Sequence, residues 1–238
     1  MVMDNWENGR AFVGLFADEM ATTDNSSAVF TLHSGNWLSN AKSNTTFEIG
    51  NGGSTAISRS YKALRINNRI INDIDKAPLT PEQKNEILGQ AYFYRSWFYF
   101  QVIKRYGGMP IIDKVFEGGD DDIPRMTYHE SHDWMMEDIQ KAIYMLPDSW
   151  DDPNYGRPTK IAAMALKEWA QLFDASPLMQ NDLNSTENKG YDTERAKSAA
   201  KSAYEVIRYM DGSKSAPYPY GLASNCLLYT SPSPRDAH

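Results

Sequence analysis

The sequence is poor in cysteine and contains no long apolar run. Its single cysteine, Cys226, lies near the end of the 238-residue chain, so disulfides and cysteine-ligated zinc are excluded from the body of the protein. No segment approaches the roughly 18 consecutive apolar residues of a membrane-spanning helix. The first residues also lack the basic region, apolar run and cleavage site of a signal peptide. We therefore expect no membrane attachment through these residues themselves.

The sequence also lacks a basic surface. It carries 24 lysine and arginine residues against 31 aspartate and glutamate residues, a net charge of −7, and no basic run follows a helix face. Nucleic-acid backbones attract proteins through clustered positive charge, so we expect no nucleic-acid partner. Apolar residues make up 41% of the chain, which is enough to bury the core of a globular protein.

The strongest helix signal begins at Thr80. The Thr80 hydroxyl can cap the first turn, Pro81 suits the first helical position, and Gln83 completes a capping box. After Tyr106 the sequence reads Gly-Gly-Met-Pro, in which glycine favours a helix end and proline cannot continue the helix. These signals predict a long helix from residue 81 to Tyr106.

Aromatic residues occupy nearly every face of this long helix. A helix that is apolar all round belongs in the interior of a fold, so we expect Tyr94, Trp97, Phe98 and Val102 to be largely buried. Arg95 lies in the same segment. Because an unpaired buried guanidinium is too costly, Arg95 is predicted to pair with a carboxylate or with carbonyl groups.

Helical periodicity continues on both sides of the long helix. It predicts helices over residues 6–20 and 57–71, one after the capping box of Thr127 and Glu130, one after Lys160, and one from Thr193. The last three begin about 31 to 33 residues apart, close to the tetratricopeptide period, although such a repeat contains a helix pair. The consensus of that repeat is not obvious here, so the sequence predicts an all-α fold of degenerate helical hairpins with long irregular loops, not a regular array.

The same periodicity assigns the inward helix faces. These are predicted to be Met135, Ile139, Ala142, Ile143 and Leu146; then Ala162, Ala165, Leu166, Trp169, Leu172 and Phe173; and finally Ala196, Ala199, Ala200, Ala203, Val206, Ile207 and Met210. Asn68 interrupts the apolar face of the 57–71 helix. Since a buried amide must be hydrogen-bonded, we expect Asn68 to hold neighbouring backbone.

Metal-binding patterns are weak. His129 and His132 are spaced by three residues, whereas zinc proteases space their histidines by four, so we interpret the pair as the polar first turn of a helix. The acidic run at residues 120–122 lacks the alternating ligands of a calcium loop and is interpreted as a solvated loop. We predict no metal and no cofactor.

Catalytic patterns are equally weak. Asp18, Glu19 and Asp24 offer the paired carboxylates that glycoside hydrolysis uses, but acidic residues are common at helix ends and in the loops that follow. Neither standard glycine-rich phosphate-binding pattern is present. We predict no catalytic residue.

Four segments, in order, resemble the SusD/RagB family of outer-membrane nutrient-binding lipoproteins. They are YKALRINNRII at residues 61–71, AYFYRSWFYF at 91–100 followed by RYGGMPII at 105–112, DIQKAIYMLP at 138–147, and GRPTKIAA at 156–163. The resemblance covers roughly residues 6–210. Four motifs in the right order are far more specific than any one of them.

The resemblance implies an all-α scaffold of tetratricopeptide-like helical hairpins that carries a glycan site on its exposed loops. Such proteins are not enzymes; they capture oligosaccharides at the cell surface and cover a TonB-dependent transporter of the SusC type. Family members carry a signal peptide and a lipidated cysteine near their start and are about twice this length. The resemblance therefore implies an outer-membrane, surface-exposed lipoprotein, of which residues 1–222 form the N-terminal part and the lipid anchor lies upstream.

The end of the chain differs from the rest. From Cys226 onward the sequence has no helical period and resembles the translation of a sequencing adapter joined to an incomplete gene, and the alternative is a natural disordered tail. We interpret residues 223–238 as a non-native tail.

A sugar site needs an exposed aromatic face beside short polar side chains. The loop after the first predicted helix offers Trp37 as the aromatic platform, with Asn36, Asn40 and Asp24 as partners for sugar hydroxyls. A Trp that anchors a long loop is the alternative for Trp37. Two other functions also stay open: a helical-repeat scaffold that binds a peptide or protein, and a fragment of an all-helical glycosidase.

Overall fold

The computed structural model describes residues 56–116, 118–119, 122–180 and 190–212. Its α-helices are α1 (Ala56–Asp73), α2 (Pro81–Tyr106), α3 (Tyr128–Met145), α4 (Lys160–Asp174) and α5 (Thr193–Gly212), with 3-10 turns at Ile74–Lys76, Asp152–Asn154 and Pro177–Met179. The described ranges contain no strand, which confirms the all-α prediction. The helix predicted over residues 6–20 and the predicted tail lie outside these ranges.

Each helix packs mainly against its neighbours in the sequence, so the chain forms successive helical hairpins. Helix α2 lies between α1 and α3 and also touches α4, while α5 packs on α4. The long helix is therefore the centre of the described part, as predicted. Helices α3, α4 and α5 begin at Tyr128, Lys160 and Thr193, which keeps the predicted spacing.

The core lies where α2 meets its neighbours. Its fully buried apolar members from α1, α2 and α3 include Leu64, Tyr99, Phe100, Val102, Ile103, Met135 and Ile139. Phe100 also packs on Trp169 and Phe173 of α4. Burying a side chain of this size contributes about 1.5–3 kcal/mol relative to leaving it exposed. This core positions the loop between α2 and α3.

Both ends of α2 have the predicted cause. The Thr80 hydroxyl accepts from the Gln83 amide, and the Gln83 side chain accepts from the Thr80 amide, which completes the capping box. At the other end Gly107 has a φ of +76°, and its N–H donates to the Ile103 carbonyl. A residue with a side chain would be strained at that φ, so glycine ends the helix here.

The predicted burial of α2 is only partly right. Val102 is fully buried, but Trp97 and Phe98 are half-buried, and the prediction for Tyr94 is wrong because this side chain is 38% exposed. Helices α1 and α3 cover the faces that carry Tyr99 and Val102, whereas Tyr94 lies on a face that they do not reach. An apolar residue is buried only where another element packs on it.

The predicted inward faces are right for α3 and partly wrong for α4 and α5. Of the α3 set, Met135, Ile139, Ala142 and Leu146 are buried and Ile143 is half-buried. In α4 the buried residues are Ile161, Ala163, Leu166, Ala170 and Asp174, while Ala165, Trp169 and Leu172 are exposed. In α5 Ala199 is buried, but Ala200 and Ile207 are exposed. Helices α3 and α5 both pack on α4, so the residues buried on α4 are those that these contacts cover and not its whole apolar stripe.

The turn after α2 is closed by a close approach of two backbone segments. A Cβ atom at Gly108 would lie 2.1 Å from the Met126 carbonyl oxygen, so only glycine fits there. Next to it, the Ser131 hydroxyl bonds both the N–H and the carbonyl of Met109. The Tyr99 hydroxyl donates to the same Met109 carbonyl at 3.2 Å. These contacts join the end of α2 to the start of α3.

Arg95 and Asp138 form a buried ion pair between α2 and α3. Their side chains are 6% and 1% exposed. The guanidinium donates through Nε to Oδ2 and through Nη2 to Oδ1 of Asp138, the second bond at 2.8 Å, which is a bidentate geometry. The Arg95 Nη1 donates to Asn68 Oδ1 on α1 at 2.8 Å. Arg95 thus has the carboxylate partner that the sequence predicts, and it links three helices.

Backbone carbonyls of the loop after α2 accept hydrogen bonds from two side chains of α1, Asn68 and Arg65. Asn68 Nδ2 donates to the carbonyls of Ile112 at 3.0 Å and Lys114 at 2.9 Å, which confirms its predicted structural role. Arg65 on α1 donates to the Phe116 carbonyl at 2.8 Å. Backbone carbonyls need hydrogen-bond partners, and no strand supplies them here. These side chains therefore provide the partners and fix the course of residues 112–116.

A second polar cluster joins α3, α4 and α5. The Asp174 carboxylate at the end of α4 is buried, and His129 Nδ1 lies 2.8 Å from it. His132 Nδ1 lies 3.0 Å from Asp133. Arg195 of α5 donates to Asp174 and, at 3.2 Å, to Asp133. Two carboxylates from different helices therefore share one guanidinium, which fastens the start of α5.

Hydrogen bonds from the His132 ring and then from the Arg195 guanidinium hold the pKa of Asp133 well below its usual range. These bonds favour the charged form of the carboxyl group. The ionic clamp between α3 and α5, which is the Asp133–Arg195 pair, therefore needs Asp133 to be ionised. The clamp is present at neutral pH.

We expect Asp138→Asn to lower the free energy of unfolding by about 3–5 kcal/mol, because it leaves a buried guanidinium without its counter-charge. Chemical denaturation of the purified variants measures this change. The matched control is Asp75→Asn, since Asp75 pairs with Lys84 but its side chain is 94% exposed; its loss should stay below about 1 kcal/mol. Equal losses in the two variants would show that the buried pair contributes no more than a surface one.

We expect Asp133→Asn to destabilise the protein at neutral pH and progressively less as the pH falls below about 4. A carboxylate whose folded-state pKa is depressed contributes stability above its unfolded-state pKa and loses it as pH falls through the folded-state pKa. Because the Asp133 side chain is 61% exposed, solvent screens the pair and the loss at neutral pH should be below about 1 kcal/mol.

Urea denaturation at several pH values from 7 to 3 measures this difference between wild type and variant. The exposed Glu137 on the same helix provides the control substitution, Glu137→Gln, which should change the free energy of unfolding at pH 7 by less than about 0.5 kcal/mol. A pH-independent difference for Asp133→Asn would contradict the ionic clamp.

Candidate functional site

An open pocket lies in the loop between α2 and α3. It has a volume of about 520 Å³ and is lined by Ile111, Asp113, Lys114, Phe116, Gly119, Asp122, Ile123 and Pro124. Ligand pockets in proteins commonly measure about 300–1,000 Å³, so the pocket is large enough for a small molecule or for part of a chain-like ligand.

The pocket combines one aromatic ring with charged side chains of both signs. Phe116 is half-buried, with one part of its ring packed on the core. The Lys114 ammonium lies 5.3 Å from the centre of that ring. The carboxylates of Asp113 and Asp122 are exposed. This mixture offers an apolar surface, hydrogen-bond donors and hydrogen-bond acceptors at one place.

Side chains of α1 hold the backbone of the first wall of the pocket, residues 112–116, in place. The carbonyls of Ile112, Lys114 and Phe116 accept hydrogen bonds from α1 side chains, and Asp113 lies between these anchored positions. The Arg95 guanidinium also lies 3.4 Å from the Asp113 carbonyl. The side chains that line this wall therefore project from a backbone that the folded core already fixes.

The residues predicted for the glycan site lie outside the described ranges. These are Trp37, Asn36, Asn40 and Asp24, together with the carboxylates of Asp18 and Glu19. Their role as a platform with hydroxyl partners stays a prediction. Within the acidic run, Asp122 is described; it is exposed, as predicted for a solvated loop, and it lines the pocket.

The two histidines of α3 take part in the polar cluster described above. Glu130 closes a capping box with Thr127, so this first turn has the polar, structural role predicted from the sequence. Within the described ranges, no three histidine, cysteine, aspartate or glutamate side chains lie together as a metal site would require. No helix in the same ranges is both long and apolar enough to cross a bilayer.

Sequence reasoning missed the pocket, because it treated the α2–α3 loop as a connection. Phe116 gives a signal in retrospect: it is an apolar aromatic residue next to a glycine-rich, acidic segment, outside any helical stripe. The same argument identified Trp37. The contacts that hold Phe116 and Lys114 in place join residues 46 and 51 positions apart, and no local pattern predicts them.

Comparison with known proteins identifies relatives of this chain. The family model SusD-like_3, described as starch-binding and associating with the outer membrane, matches residues 5–168. A SusD-like protein of Formosa agariphila is 28% identical over 102 residues, which are 42% of this chain and 20% of that protein. The chain thus matches only a fifth of the length of this curated relative.

Solved structures show the same relationship. A SusD-like protein of Bacteroides fragilis is 32% identical, with a TM-score of 0.54 over 64% of this chain and 26% of that one. A SusD superfamily protein of Bacteroides vulgatus matches 84% of this chain and 40% of its own at 18% identity, with a TM-score of 0.57. A structure solved with a xylogluco-oligosaccharide matches 64% of this chain and 28% of its own at 19% identity, with a TM-score of 0.53.

These findings agree with the four sequence motifs and with the helical hairpins. The family model covers more than half of the chain, and SusD-like structures share its all-α, tetratricopeptide-like fold. Proteins of this family bind carbohydrate and associate with the outer membrane. The chain belongs to the SusD-like family of starch-binding proteins that associate with the outer membrane.

Proposed function

We propose that the protein captures oligosaccharides at the cell surface and delivers them to a TonB-dependent outer-membrane transporter of the SusC type. The observation that carries this proposal is the match of the SusD-like family model to residues 5–168. The xylogluco-oligosaccharide bound in one structural neighbour supports a chain-like, neutral sugar as the ligand. In this function the full-length protein is a lipoprotein exposed on the outer membrane.

The described part of the chain suits capture better than catalysis. Glycosidases place two carboxyl groups about 5–10 Å apart across a substrate cleft, and one of them has a raised pKa. Among the described carboxyl groups with a resolved shift, which are Asp73, Glu82, Glu130, Asp133, Asp148 and Asp192, every pKa is lowered. Carboxyl groups of this kind accept hydrogen bonds but do not serve as general acids at neutral pH.

Within this function, Trp37 is proposed as the aromatic platform of the glycan site. Its ring would cover the C–H face of a sugar, while Asn36, Asn40 and Asp24 would bond the hydroxyl groups. The support is chemical: these residues belong to one segment rich in Ser, Thr, Asn and Gly, and Trp37 lies outside any helical stripe. None of them has a catalytic role in this proposal.

We expect Trp37→Ala to weaken oligosaccharide binding about tenfold or more, because the stacking surface is lost. Calorimetric titration of the full-length protein with oligosaccharides of starch and xyloglucan measures the change, and circular dichroism checks the fold. Tyr144→Ala is the control, because Tyr144 is 86% exposed on α3. This substitution removes an exposed aromatic ring at a place away from the proposed site. Unchanged affinity would remove Trp37 from the site, and an unfolded variant would show that Trp37 anchors its loop.

The proposed location predicts that the full-length protein is digested by protease added to intact cells. A periplasmic protein provides the internal control, because it should be cut only after lysis. Protection of the full-length protein in intact cells, with digestion after lysis, would contradict surface exposure.

A further inference from the structure

We propose that the pocket between α2 and α3 is a carbohydrate subsite that takes a neutral oligosaccharide, with Phe116 as its aromatic surface and Asp113, Lys114 and Asp122 as its hydroxyl partners. This inference rests on the proposed function and adds a second place of contact to the residues around Trp37. All the residues that line the pocket belong to the described part of the chain.

The apolar part of the pocket fits the C–H faces of a sugar ring. The Phe116 ring is half-buried, with one part packed on the core, and the backbone carbonyl of the same residue accepts from Arg65. Ile111, Ile123 and Pro124 complete the apolar lining. An aromatic face with an aliphatic rim covers the hydrophobic side of a saccharide and leaves its hydroxyl groups at the edge.

The polar part of the pocket favours a neutral ligand. Asp113 and Asp122 supply carboxylate oxygens that accept from hydroxyl groups, and the Lys114 ammonium beside the Phe116 ring donates. Two carboxylates against one ammonium give the lining a negative balance. An anionic sugar or a phosphate would meet like charge, whereas a neutral hydroxylated chain can use both donors and acceptors.

The anchored backbone makes the pocket ready for a ligand. Ordering a segment on binding reduces affinity, and the Asn68 and Arg65 bonds already hold the carbonyls of Ile112, Lys114 and Phe116 on one wall of the pocket. Arg95 and Asp138 hold Asn68 in turn, so the wall is tied to the buried core.

The test is calorimetric titration of the full-length protein with neutral oligosaccharides of starch, xyloglucan and laminarin. Phe116→Leu removes the aromatic face but keeps an apolar side chain against the core, and Asp122→Asn changes an exposed carboxylate. We expect Phe116→Leu to weaken binding of the preferred oligosaccharide about fivefold to tenfold and Asp122→Asn to weaken it about threefold. Both variants should keep the wild-type unfolding temperature.

Tyr155→Ala is the matched control, because Tyr155 is 78% exposed and does not line the pocket. Wild-type affinity in both pocket variants, with binding lost in Trp37→Ala, would overturn the subsite and leave the proposed function intact. No binding of any neutral oligosaccharide to the wild type would overturn both. Tighter binding of oligogalacturonate than of neutral oligosaccharides would overturn the assignment of a neutral ligand.

Discussion

The structure depends on one buried guanidinium. Arg95 lies in the longest helix, where its side chain has almost no contact with water, and such a charge is tolerated only if every donor has a partner. Asp138 supplies the counter-charge from α3, and Asn68 supplies an acceptor from α1. The requirement to satisfy this one group therefore fixes how three helices meet, in addition to the apolar contacts around them.

The same group determines where the α2–α3 loop runs. Asn68 accepts from Arg95 through its oxygen, which turns its two N–H donors towards the loop carbonyls. An amide with its oxygen occupied has a defined orientation, so the loop receives donors at set positions. The ion pair, the Asn68 amide and the loop carbonyls are therefore linked in series, and they connect the buried pair to the first wall of the surface pocket.

Sequence reasoning succeeded where a signal is local or where a physical cost forces a partner. The capping boxes at Thr80 and Thr127 are four-residue patterns, and both appear in the structure. The pairing of Arg95 and the structural role of Asn68 followed from the cost of burying them. The family resemblance, carried by four ordered motifs, is confirmed by the comparison.

The failures have a common physical cause. Tyr94, Trp169 and Ile207 are apolar residues in amphipathic or apolar helices, yet each is more than a third exposed. Whether such a residue is buried depends on the direction from which a neighbouring helix approaches, and the period of one helix does not contain that direction. The pocket escaped prediction for a related reason, since it exists through contacts between a loop and side chains more than 40 positions away.

The way in which the loop is held has a consequence for binding. The bonds from α1 and α2 reach the backbone carbonyls of residues 112–116, and every amino acid has that carbonyl. The side chains of Asp113 and Phe116 make no part of these bonds, so a substitution there changes the surface offered to a ligand while the path of the loop persists. In a scaffold of this kind the groups that determine the fold differ from the groups that contact the ligand. In this loop the backbone carbonyls do the first, and the side chains of the same residues do the second.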